Sequence, residues 1–403
     1  MTRYDIPVIP TTSNPMRALL YFSSLALSLS SIRLAEALLS PAIRSNRPVV
    51  RFRSGFQHLP PLSDKTDRCR VLGGAVGEES LEEASVSADR KEGALAVQDR
   101  VNLGGVPISP LGIGTWSWGD TLFWGYSESM DTELQEVFDE CVSDGVNLFD
   151  TAEVYGFGRS EYLCGKFRRD FGGSDKDGIV LASKFAPLPW RWKSRSVVDA
   201  CKASLDRMGV DSMEIYQIHW PFGRLDSKYW DGLADCVDKG LVKAVGVSNY
   251  GVDGLKGVHA ALNARGVQLG SNQVEFSLFN RRPERSGMLQ LCEELDVRVL
   301  AYSPLAQGLL TGKYSKDAMP SGPRRRLFQR NLPRVEPLVA KLKEIGAARD
   351  KTPAQVSLNW CIAKGTIPIP GAKNIRQARE NSGALGWRLS PEEVQALDAV
   401  APS

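Results

Sequence analysis

The sequence predicts an α/β fold, a single (β/α)8 TIM barrel, and three observations support this prediction. From Val101 onward, short β-branched or apolar runs alternate with amphipathic helical stretches, the pattern of βα units around a parallel sheet. Eight such runs occur, and a TIM barrel closes with eight parallel strands. Polar and ionisable residues follow several of these runs, where the active sites of such barrels are built.

The predicted strands follow one another at regular spacing. They cover residues 108–115, 146–152, 179–185, 213–220, 242–249, 267–276, 297–304 and 366–372. Helices are predicted between them, and several end in glycine, which tolerates the left-handed conformation at a helix C-terminus. These helices cover residues 132–145, 194–209, 252–266 and 286–296.

The connection between the seventh and eighth strands is unusually long. We expect a loop over residues 307–332 before a helix at 338–348, and long loops in compact domains are usually functional. A last helix over 391–400 begins with the capping sequence Ser390-Pro391-Glu392-Glu393. A doubly wound Rossmann domain is the alternative fold, but no GxGxxG motif follows any predicted strand.

The N-terminal region has the composition of an organelle transit peptide. Residues 1–63 contain ten Ser and seven Arg, no Lys and only two acidic residues. A secretory signal peptide is the alternative, because Arg17 precedes an apolar stretch over 18–31. That stretch is too short and too rich in hydroxyl groups for a transmembrane helix. Met16 is an alternative start.

Three segments are therefore predicted along the chain. Residues 1–73 form a transit peptide and disordered leader that directs the protein to the chloroplast stroma, with the secretory pathway as the alternative. Residues 74–98 form a polar, acidic linker without amphipathic period. Residues 99–403 form the barrel. With 42% hydrophobic and 24% charged residues, the chain has the composition of a globular protein with an adequate core.

Charge and cysteine content exclude some classes of partner. Removing the net +5 of residues 1–63 from the chain's +3 leaves −2 for the remainder. A nearly neutral body argues against nucleic acid, which requires a basic patch. The seven Cys are scattered and never in CxxC spacing, so neither a disulfide framework nor a zinc site is indicated. We expect reduced, mostly buried thiols and no metal.

Four residues at the predicted strand ends form a candidate catalytic set. They are Asp150 after the second strand, Tyr155 five residues later, Lys184 in the third strand and His219 in the fourth. Each has an ordinary explanation alone, such as a loop cap, a surface aromatic or a core histidine. An ammonium group within an apolar run is costly to bury unless it has a partner, and Asp150 supplies one. Together the four residues indicate an active site.

Longer motifs connect these residues to a known family. The predicted barrel contains, in order, GIGTWSWG, FDTAEVYG, ASKF, QIHWP, GVSNY, NQVEFSLFNR, AYSPLAQGLLTGKY and IPGAKNIRQAREN. By these segments the chain from about residue 101 to residue 402 resembles the aldo/keto reductase superfamily. The WSWGD opening is most similar to the plastid and cyanobacterial-type NADPH-dependent members.

The resemblance implies a catalytic tetrad of Asp150, Tyr155, Lys184 and His219, with Tyr155 as the proton donor for carbonyl reduction. A phenol with a pKa of about 10 is a poor acid unless nearby charge tunes it. Lys184, kept charged by Asp150, is expected to favour the phenolate and so to lower the pKa of Tyr155. His219 is expected to orient the carbonyl oxygen.

The resemblance also implies NADPH/NADP+ as cofactor. Amides and a hydroxyl after the fifth and sixth strands would bind the carboxamide, Tyr302 would stack on the nicotinamide, and the following segment would cover the pyrophosphate. Lys373 would contact the adenosine 2′-phosphate, which favours NADPH over NADH. The implied cofactor-binding residues are Gly114, Thr115, Trp116, Ser248, Asn249, Gln273, Tyr302, Ser303, Pro304, Leu305, Gln307, Lys313, Gly371, Lys373, Gln377, Glu380 and Asn381.

Two further features concern the predicted phosphate contacts, and the first is a departure from the family pattern. Other reductases place a Lys-Ser pair where this chain has Gly371-Ala372. A basic run, Arg324-Arg325-Arg326, lies in the long connection and is a further candidate for phosphate contact.

Other functions compete with this interpretation. Some family members, including potassium-channel β subunits, act as nucleotide-binding regulatory subunits. A barrel glycosidase would require two facing carboxylates, and a metal-dependent barrel would require a ligand cluster that three His do not form.

The expected partner is a small carbonyl substrate, without nucleic acid or a membrane span, and a monomer is plausible. Six tryptophans near strand ends are candidates for an aromatic mouth: Trp116, Trp118, Trp124, Trp190, Trp192 and Trp220.

Overall fold

The structure is a computed structural model that describes residues 100–121, 123–320 and 324–402. The predicted leader and linker, the alternative start Met16 and Cys69 lie outside these residues. Within them, eight parallel strands form one sheet in the order β10-β9-β8-β7-β6-β5-β4-β3. The two edge strands meet where the Gly114 N–H donates to the Pro370 carbonyl at 3.0 Å, beside a Gly114–Gly371 bridge. The predicted TIM barrel is thereby confirmed.

Each barrel strand lies inside its predicted window. The strands are β3 (Gly112–Gly114), β4 (Leu148–Asp150), β5 (Val180–Phe185), β6 (Met213–Ile218), β7 (Val242–Ser248), β8 (Leu269–Glu275), β9 (Arg298–Tyr302) and β10 (Ile367–Ile369). β5, β6 and β10 are buried along their whole length, as expected for strands covered on both faces.

An antiparallel hairpin that the sequence analysis did not predict precedes the barrel. It consists of β1 (Val101–Leu103) and β2 (Val106–Ile108), joined by two glycines with φ of +56° and +91°. Its buried apolar side chains pack against residues near the amino ends of barrel strands, including Leu148 and Val180. Ile108, assigned to the first barrel strand in the prediction, belongs to this hairpin. The Gly-Gly pair between short apolar runs is a recognised hairpin signal.

Helices alternate with the barrel strands and cover the sheet. They are α1 (Asp131–Ser143), α2 (Arg159–Asp170), α3 (Ser194–Met208), α4 (Asp226–Asp238), α5 (Val252–Asn263), α6 (Arg282–Arg285), α7 (Met288–Glu294), α8 (Arg324–Ala348), α9 (Pro353–Ala363), α10 (Ile375–Ser382) and α11 (Pro391–Val400).

Two of the predicted helix ends agree with the observed ones, whereas the helix predicted to end at Gly266 ends at Asn263. Gly209 follows α3 with φ +67°, a conformation that glycine adopts without a steric penalty. The capping box at α11 is confirmed, because the Ser390 hydroxyl accepts from the Glu393 N–H at 3.3 Å and the Glu393 carboxylate accepts from the Ser390 N–H at 2.7 Å.

The long loop predicted over residues 307–332 is wrong in its second half. Residues Ala306–Thr311 form a 3-10 turn, and α8 starts at Arg324 and continues through Pro333 and Pro337. The basic run therefore lies in the first turn of a helix. A proline inside a helix costs about 3 kcal/mol, but α8 buries an apolar stripe at helical spacing, and each such side chain contributes about 1.5–3 kcal/mol. The stripe is Phe328, Leu332, Val335, Leu338 and Leu342.

Two further properties concern the described residues only. None of their helices combines the length and the apolar character required to cross a bilayer. Their six cysteines are all free and buried, in agreement with the expected reduced thiols.

The packing of α2 on α3 gives a stability prediction. A Cβ atom at Gly165 would lie 1.8 Å from the Met208 carbonyl oxygen. At an exposed helix position, Gly→Ala adds about 1 kcal/mol of stability, but here overpacking should reverse the sign. We expect Gly165→Ala to lower the free energy of unfolding by about 1–3 kcal/mol in urea denaturation. Gly178→Ala, whose Cβ would meet nothing within 4 Å, is the control. Equal stability of Gly165→Ala and the parent would contradict the predicted contact.

Candidate active site

The four candidate catalytic residues lie at the carboxyl ends of three adjacent strands. Asp150 is the last residue of β4, Lys184 is the fifth residue of β5, and His219 follows β6 directly. Tyr155 begins a 3-10 turn between β4 and α2, in which Gly156 and Phe157 both have φ of +55°. Since neighbouring parallel strands end at the same edge, the barrel brings together all four residues that the sequence analysis selected.

Lys184 and Asp150 form a buried ion pair. Lys184 Nζ lies 2.5 Å from Asp150 Oδ2, and the two side chains are 0% and 3% exposed. Lys184 Nζ also donates to the Thr151 carbonyl at 2.7 Å. Burial alone would lower the pKa of Lys184, but the charges of Asp150 and Tyr155 and the hydrogen bonds to them together outweigh it, and the pKa is raised. The ammonium therefore stays charged in the interior.

The second oxygen of Asp150 is held by two amides. Gln273 Nε2 donates to Asp150 Oδ1 at 2.8 Å and Gln217 Nε2 at 3.3 Å. Because hydrogen bonds satisfy both ends of the pair, the charges tolerate burial. The sequence analysis did not select Gln217. Its position two residues before His219 in the predicted strand over 213–220 was the available signal, because alternate residues of a strand share a face.

The hydroxyl of Tyr155 lies against this pair. Lys184 Nζ is 3.5 Å from Tyr155 Oη and 4.9 Å from the ring centroid. Burial raises the pKa of Tyr155, and the charge of Lys184 acts in the opposite direction without overcoming it. Lys184 therefore acts on the Tyr155 pKa in the predicted direction, but burial outweighs it and the pKa is raised. A raised pKa keeps the phenol protonated at neutral pH.

His219 packs edge-on against Tyr155, with ring centroids 5.6 Å apart. Burial and the positive charge of Lys184 lower the pKa of His219 well below 6.5, so the imidazole is neutral at neutral pH. Its Nδ1 atom is buried without a hydrogen-bond partner among the described residues. Such an atom is costly unless a bound molecule or water satisfies it.

The candidate nicotinamide residues form a continuous hydrogen-bonded row beside the tetrad. Ser248 Oγ donates to the Gln273 carbonyl at 2.9 Å, and Asn249 Nδ2 donates to the His219 carbonyl at 3.2 Å. Tyr302 Oη donates to Asn249 Oδ1 at 3.0 Å. Asn249 has φ +63°, a left-handed conformation that Asn tolerates better than most residues. The structure thus joins Ser248, Asn249, Gln273 and Tyr302 to Asp150 and His219.

The candidate pyrophosphate segment begins with strained backbone. Ser303 and Gln307 have φ of +51° and +56°, and Ala306, between them, has +48°. Three non-glycine residues in the left-handed region cost of order 1–3 kcal/mol each, and such strain concentrates at ligand clamps. Pro304 and Leu305 lie inside this segment, and Lys313 follows it with its Nζ 5.6 Å from the Tyr314 ring centroid.

The candidate adenosine residues lie in the β10–α10 connection and in α10 itself. Gln377 Oε1 accepts from the Lys373 N–H at 2.9 Å, and Asn381 Nδ2 donates to the Gly371 carbonyl at 3.3 Å. Glu380 forms an ion pair with Arg376 at 3.6 Å. The bridge between Gly114 and Gly371 brings the end of β3 to this group.

Not every candidate residue faces the cleft. The side chain of Thr115 is fully buried, and its hydroxyl donates to the Asp150 carbonyl at 3.0 Å, so it supports the site from behind. Trp118 is also fully buried and donates from Nε1 to the Ala372 carbonyl at 2.8 Å; it belongs to the core. Trp190 and Trp192 are 60% and 53% exposed.

Aromatic rings surround Tyr155 and His219. The Trp116 ring centroid is 6.4 Å from that of Tyr155, and the Trp220 centroid is 4.7 Å from that of His219. Phe123 stacks on Trp116 at 5.4 Å and was not selected from the sequence.

Among the residues that the structure describes, no group of three or more His, Cys, Asp or Glu could hold a metal ion.

Comparison with known proteins places this geometry in a family. The profile of the aldo/keto reductase family matches residues 110–402. The chain belongs to this family. It is 47% identical over 312 residues to the chloroplastic pyridoxal reductase of Arabidopsis thaliana, covering 75% of this chain and 86% of that protein. It is 31% identical over 294 residues to the NADP(+) aldo-keto reductase of Schizosaccharomyces pombe, covering 68% and 83%.

Solved structures resemble this aldo/keto reductase over the barrel. An aldo/keto reductase from Klebsiella pneumoniae in complex with NADP and acetate has 27% identity and a TM-score of 0.61, covering 75% of this chain and 95% of that one. The glycerol dehydrogenase from Gluconobacter oxydans has 25% identity and a TM-score of 0.66, with coverage of 76% and 95%. The predicted family resemblance and fold are confirmed.

The residues of this aldo/keto reductase fit a nicotinamide dinucleotide. The hydrogen-bonded row of Ser248, Asn249, Gln273 and Tyr302 is next to the tetrad. The strained segment follows β9, and Lys373 follows β10, which pairs with β9 in the sheet. The unpartnered Nδ1 of His219 is consistent with a site that a ligand completes.

The buried ion pair gives a stability prediction. Lys184→Met or Asp150→Asn alone leaves one buried charge without its partner, which should cost about 3–5 kcal/mol of unfolding free energy. The double variant removes both charges and should be more stable than the less stable single variant. Urea denaturation of the parent, both single variants and the double variant forms the mutant cycle. Additive losses in the double variant would show that the two charges do not stabilise each other.

Proposed function

We propose that this aldo/keto reductase reduces aldehydes and ketones to alcohols with NADPH, and that Tyr155 is the proton donor. The observation that carries the proposal is the Tyr155 hydroxyl 3.5 Å from the ammonium of a buried ion pair. A protonated phenol next to a fixed positive charge can protonate an alkoxide and is then stabilised as a phenolate. The NADP in the matching Klebsiella pneumoniae structure supports the choice of cofactor.

Each member of the tetrad has a separate role in this proposal. Bound NADPH supplies the hydride that the carbonyl carbon accepts. Tyr155 gives its hydroxyl proton to the carbonyl oxygen, and Lys184 stabilises the phenolate that remains. Asp150 keeps Lys184 charged and in place. Neutral His219 has one ring N–H, which can donate a hydrogen bond to the carbonyl oxygen and orient it.

Flat aromatic aldehydes are the proposed substrate class. Trp116, Trp220 and Tyr155 offer ring faces and edges near the hydroxyl that would meet the carbonyl oxygen. Aromatic rings favour offset-stacked or edge-to-face neighbours. Because the Arabidopsis relative at 47% identity is a pyridoxal reductase, we propose pyridoxal as the first substrate to test. Reduction would convert its aldehyde to a primary alcohol.

A plastid location is proposed from two observations. Residues 1–63 have the Arg- and Ser-rich, acid-poor composition of a transit peptide, and the relative at 47% identity is chloroplastic. The proposed mature protein begins after the leader and contains the barrel.

Tyr155→Phe tests the proposed chemistry, because it keeps the ring and removes only the hydroxyl. We expect turnover of pyridoxal with NADPH to fall by roughly 100- to 10,000-fold, the usual effect of losing a positioned general acid. The NADPH dissociation constant should stay within about threefold of the parent value, since binding is assigned to other residues. Tyr162→Phe, at a 41% exposed position, is the matched control.

Stopped-flow measurement of hydride transfer, together with NADPH titration, separates these two quantities. Parent-like reduction by Tyr155→Phe would place the proton donor elsewhere. A parent protein that binds NADPH tightly but reduces none of a panel of aldehydes would instead favour the regulatory-subunit alternative.

Lys373→Ala tests the choice of cofactor. Removing one charge-assisted contact should weaken NADP+ binding by about 1.5–3 kcal/mol, roughly 10- to 150-fold, and leave NAD+ binding almost unchanged. Calorimetric titration with each cofactor gives both dissociation constants. Lys256→Ala, at an exposed position of α5, removes the same charge elsewhere. An equal effect of Lys373→Ala on both cofactors would show that Lys373 does not read the 2′-phosphate.

A fusion of residues 1–73 to a fluorescent protein tests the location. The fusion should enter plastids and be shortened there, because the leader is rich in Arg and Ser and poor in acids. A second fusion with residues 16–73 tests whether Met16 suffices as a start. Fluorescence in the secretory pathway or retention in the cytosol would refute the plastid proposal.

A further inference from the structure

A cation–π contact joins the two sides of the barrel closure. Lys373 Nζ lies 5.4 Å from the ring centroid of Trp124. Trp124 belongs to the loop between β3 and α1, whereas Lys373 lies between β10 and α10. The closure next to this contact is fixed by the Gly114–Pro370 hydrogen bond at 3.0 Å and by the donation from Trp118 Nε1 to the Ala372 carbonyl at 2.8 Å. The contact therefore rests on a defined backbone.

Three rings connect Lys373 to the proposed proton donor. We define Trp116, Phe123 and Trp124 as the aromatic cluster. Trp124 packs edge-on against Trp116 at 5.5 Å and against Phe123 at 4.9 Å, and Trp116 stacks on Phe123 at 5.4 Å. The Trp116 ring centroid is 6.4 Å from that of Tyr155. The cluster is thus a continuous series of ring contacts from Trp124 to the ring beside Tyr155.

The loop that carries the cluster is anchored to the turn that carries Tyr155. Arg159 Nε donates to Tyr126 Oη at 2.9 Å, and Arg159 Nη2 donates to Asp131 Oδ2 at 2.6 Å. The two backbones also meet closely, because a Cβ atom at Gly156 would lie 2.5 Å from the Gly119 carbonyl oxygen. The loop is therefore held by Arg159 through Tyr126 and Asp131, and its Trp124 contacts Lys373.

We propose that Trp124 determines specificity for the phosphorylated cofactor, by holding the Lys373 ammonium in place for the adenosine 2′-phosphate. This inference rests on the proposed function, in which Lys373 reads that phosphate. A ring face attracts an ammonium electrostatically. Lysine is flexible and loses rotamer freedom when it binds. A lysine already held on a ring loses less of that freedom.

The same contacts couple the cofactor to the substrate. A phosphate that fixes Lys373 also steadies Trp124 and, through Trp116, the aromatic wall beside Tyr155. By linkage, any ligand that steadies this wall must favour the phosphorylated cofactor by the same factor. The dissociation constant of pyridoxal should therefore be lower in the presence of NADP+ than of NAD+ in the parent protein, and this difference should shrink when Trp124 is replaced.

Calorimetric titration with NADP+ and NAD+ tests the proposal without catalysis. The proteins are the parent, Trp124→Leu, Trp124→Phe, Lys373→Ala and the double variant Trp124→Leu/Lys373→Ala. We expect Trp124→Leu to bind NADP+ about 3- to 10-fold more weakly and NAD+ within about twofold of the parent, from the loss of one cation–π contact. Trp124→Phe, which keeps a ring, should lie between. The double variant should bind NADP+ no more weakly than Lys373→Ala, because the two residues act as one unit.

Trp387→Leu is the matched control. Its ring centroid lies 5.9 Å from Lys351 Nζ, nearly the same distance, in the segment between α10 and α11. It should leave both dissociation constants unchanged. Thermal melting of each variant identifies a loss of fold, and the graded response of Trp124→Phe keeps the test valid if Trp124→Leu is unstable.

Three results would overturn the inference. A Trp124→Leu protein that binds NADP+ as well as the parent, while Lys373→Ala loses affinity, would remove Trp124 from cofactor selection and leave the proposed function intact. Equal losses for NADP+ and NAD+ would show that Trp124 supports the cofactor site in general. A parent that binds both cofactors equally would overturn the proposed NADPH preference and this inference together.

Discussion

The buried pair of Lys184 and Asp150 is the interaction on which the site depends. Two charges without exposed surface are stable only when hydrogen bonds satisfy their remaining donors and acceptors. Here the partners come from separate strands: Gln217 on β6, Gln273 on β8 and the Thr151 carbonyl just after β4. A parallel barrel brings these strand ends to one point, so the fold and the ion pair require each other.

The same pair sets the protonation states of its neighbours. Lys184 places a positive charge beside Tyr155, whose pKa burial raises, and beside His219, whose pKa burial lowers. Its charge opposes the effect of burial on the phenol and adds to it on the imidazole. Both groups are therefore neutral at neutral pH, each with a proton to donate. A dry interior maintains this arrangement, because solvent would weaken the influence of the charge.

Much of this could be predicted from the sequence, for physical reasons that differ between elements. Strand positions followed from apolar runs, and the tetrad followed from its place at strand ends. The hairpin of β1 and β2 was missed because its strands have three residues each, although its Gly-Gly turn was visible. Helix α8 was placed too late because Pro333 and Pro337 predict a break. Only the apolar stripe that α8 buries explains why the helix continues.

Side-chain direction was the least predictable property. Thr115 and Trp118 lie in a motif that borders the cleft, yet both are fully buried, and Trp116 between them faces Tyr155. Residues this close in sequence take opposite directions according to what packs behind them. Trp118 donates to the β10–α10 connection, more than 250 positions away in the chain, whereas the Thr115 hydroxyl contacts the Asp150 carbonyl and Ser160. Local sequence patterns do not reveal such distant contacts.

That connection explains why a glycine closes the barrel. A Cβ atom at Gly114 would lie 2.9 Å from the Ile369 carbonyl oxygen, so a side chain there would push β3 away from β10. The closure between these strands is also where the proposed adenosine residues, the aromatic cluster and the turn of Tyr155 come into contact. Close backbone packing at Gly114 therefore supports the region in which the proposed cofactor site meets the proposed substrate site.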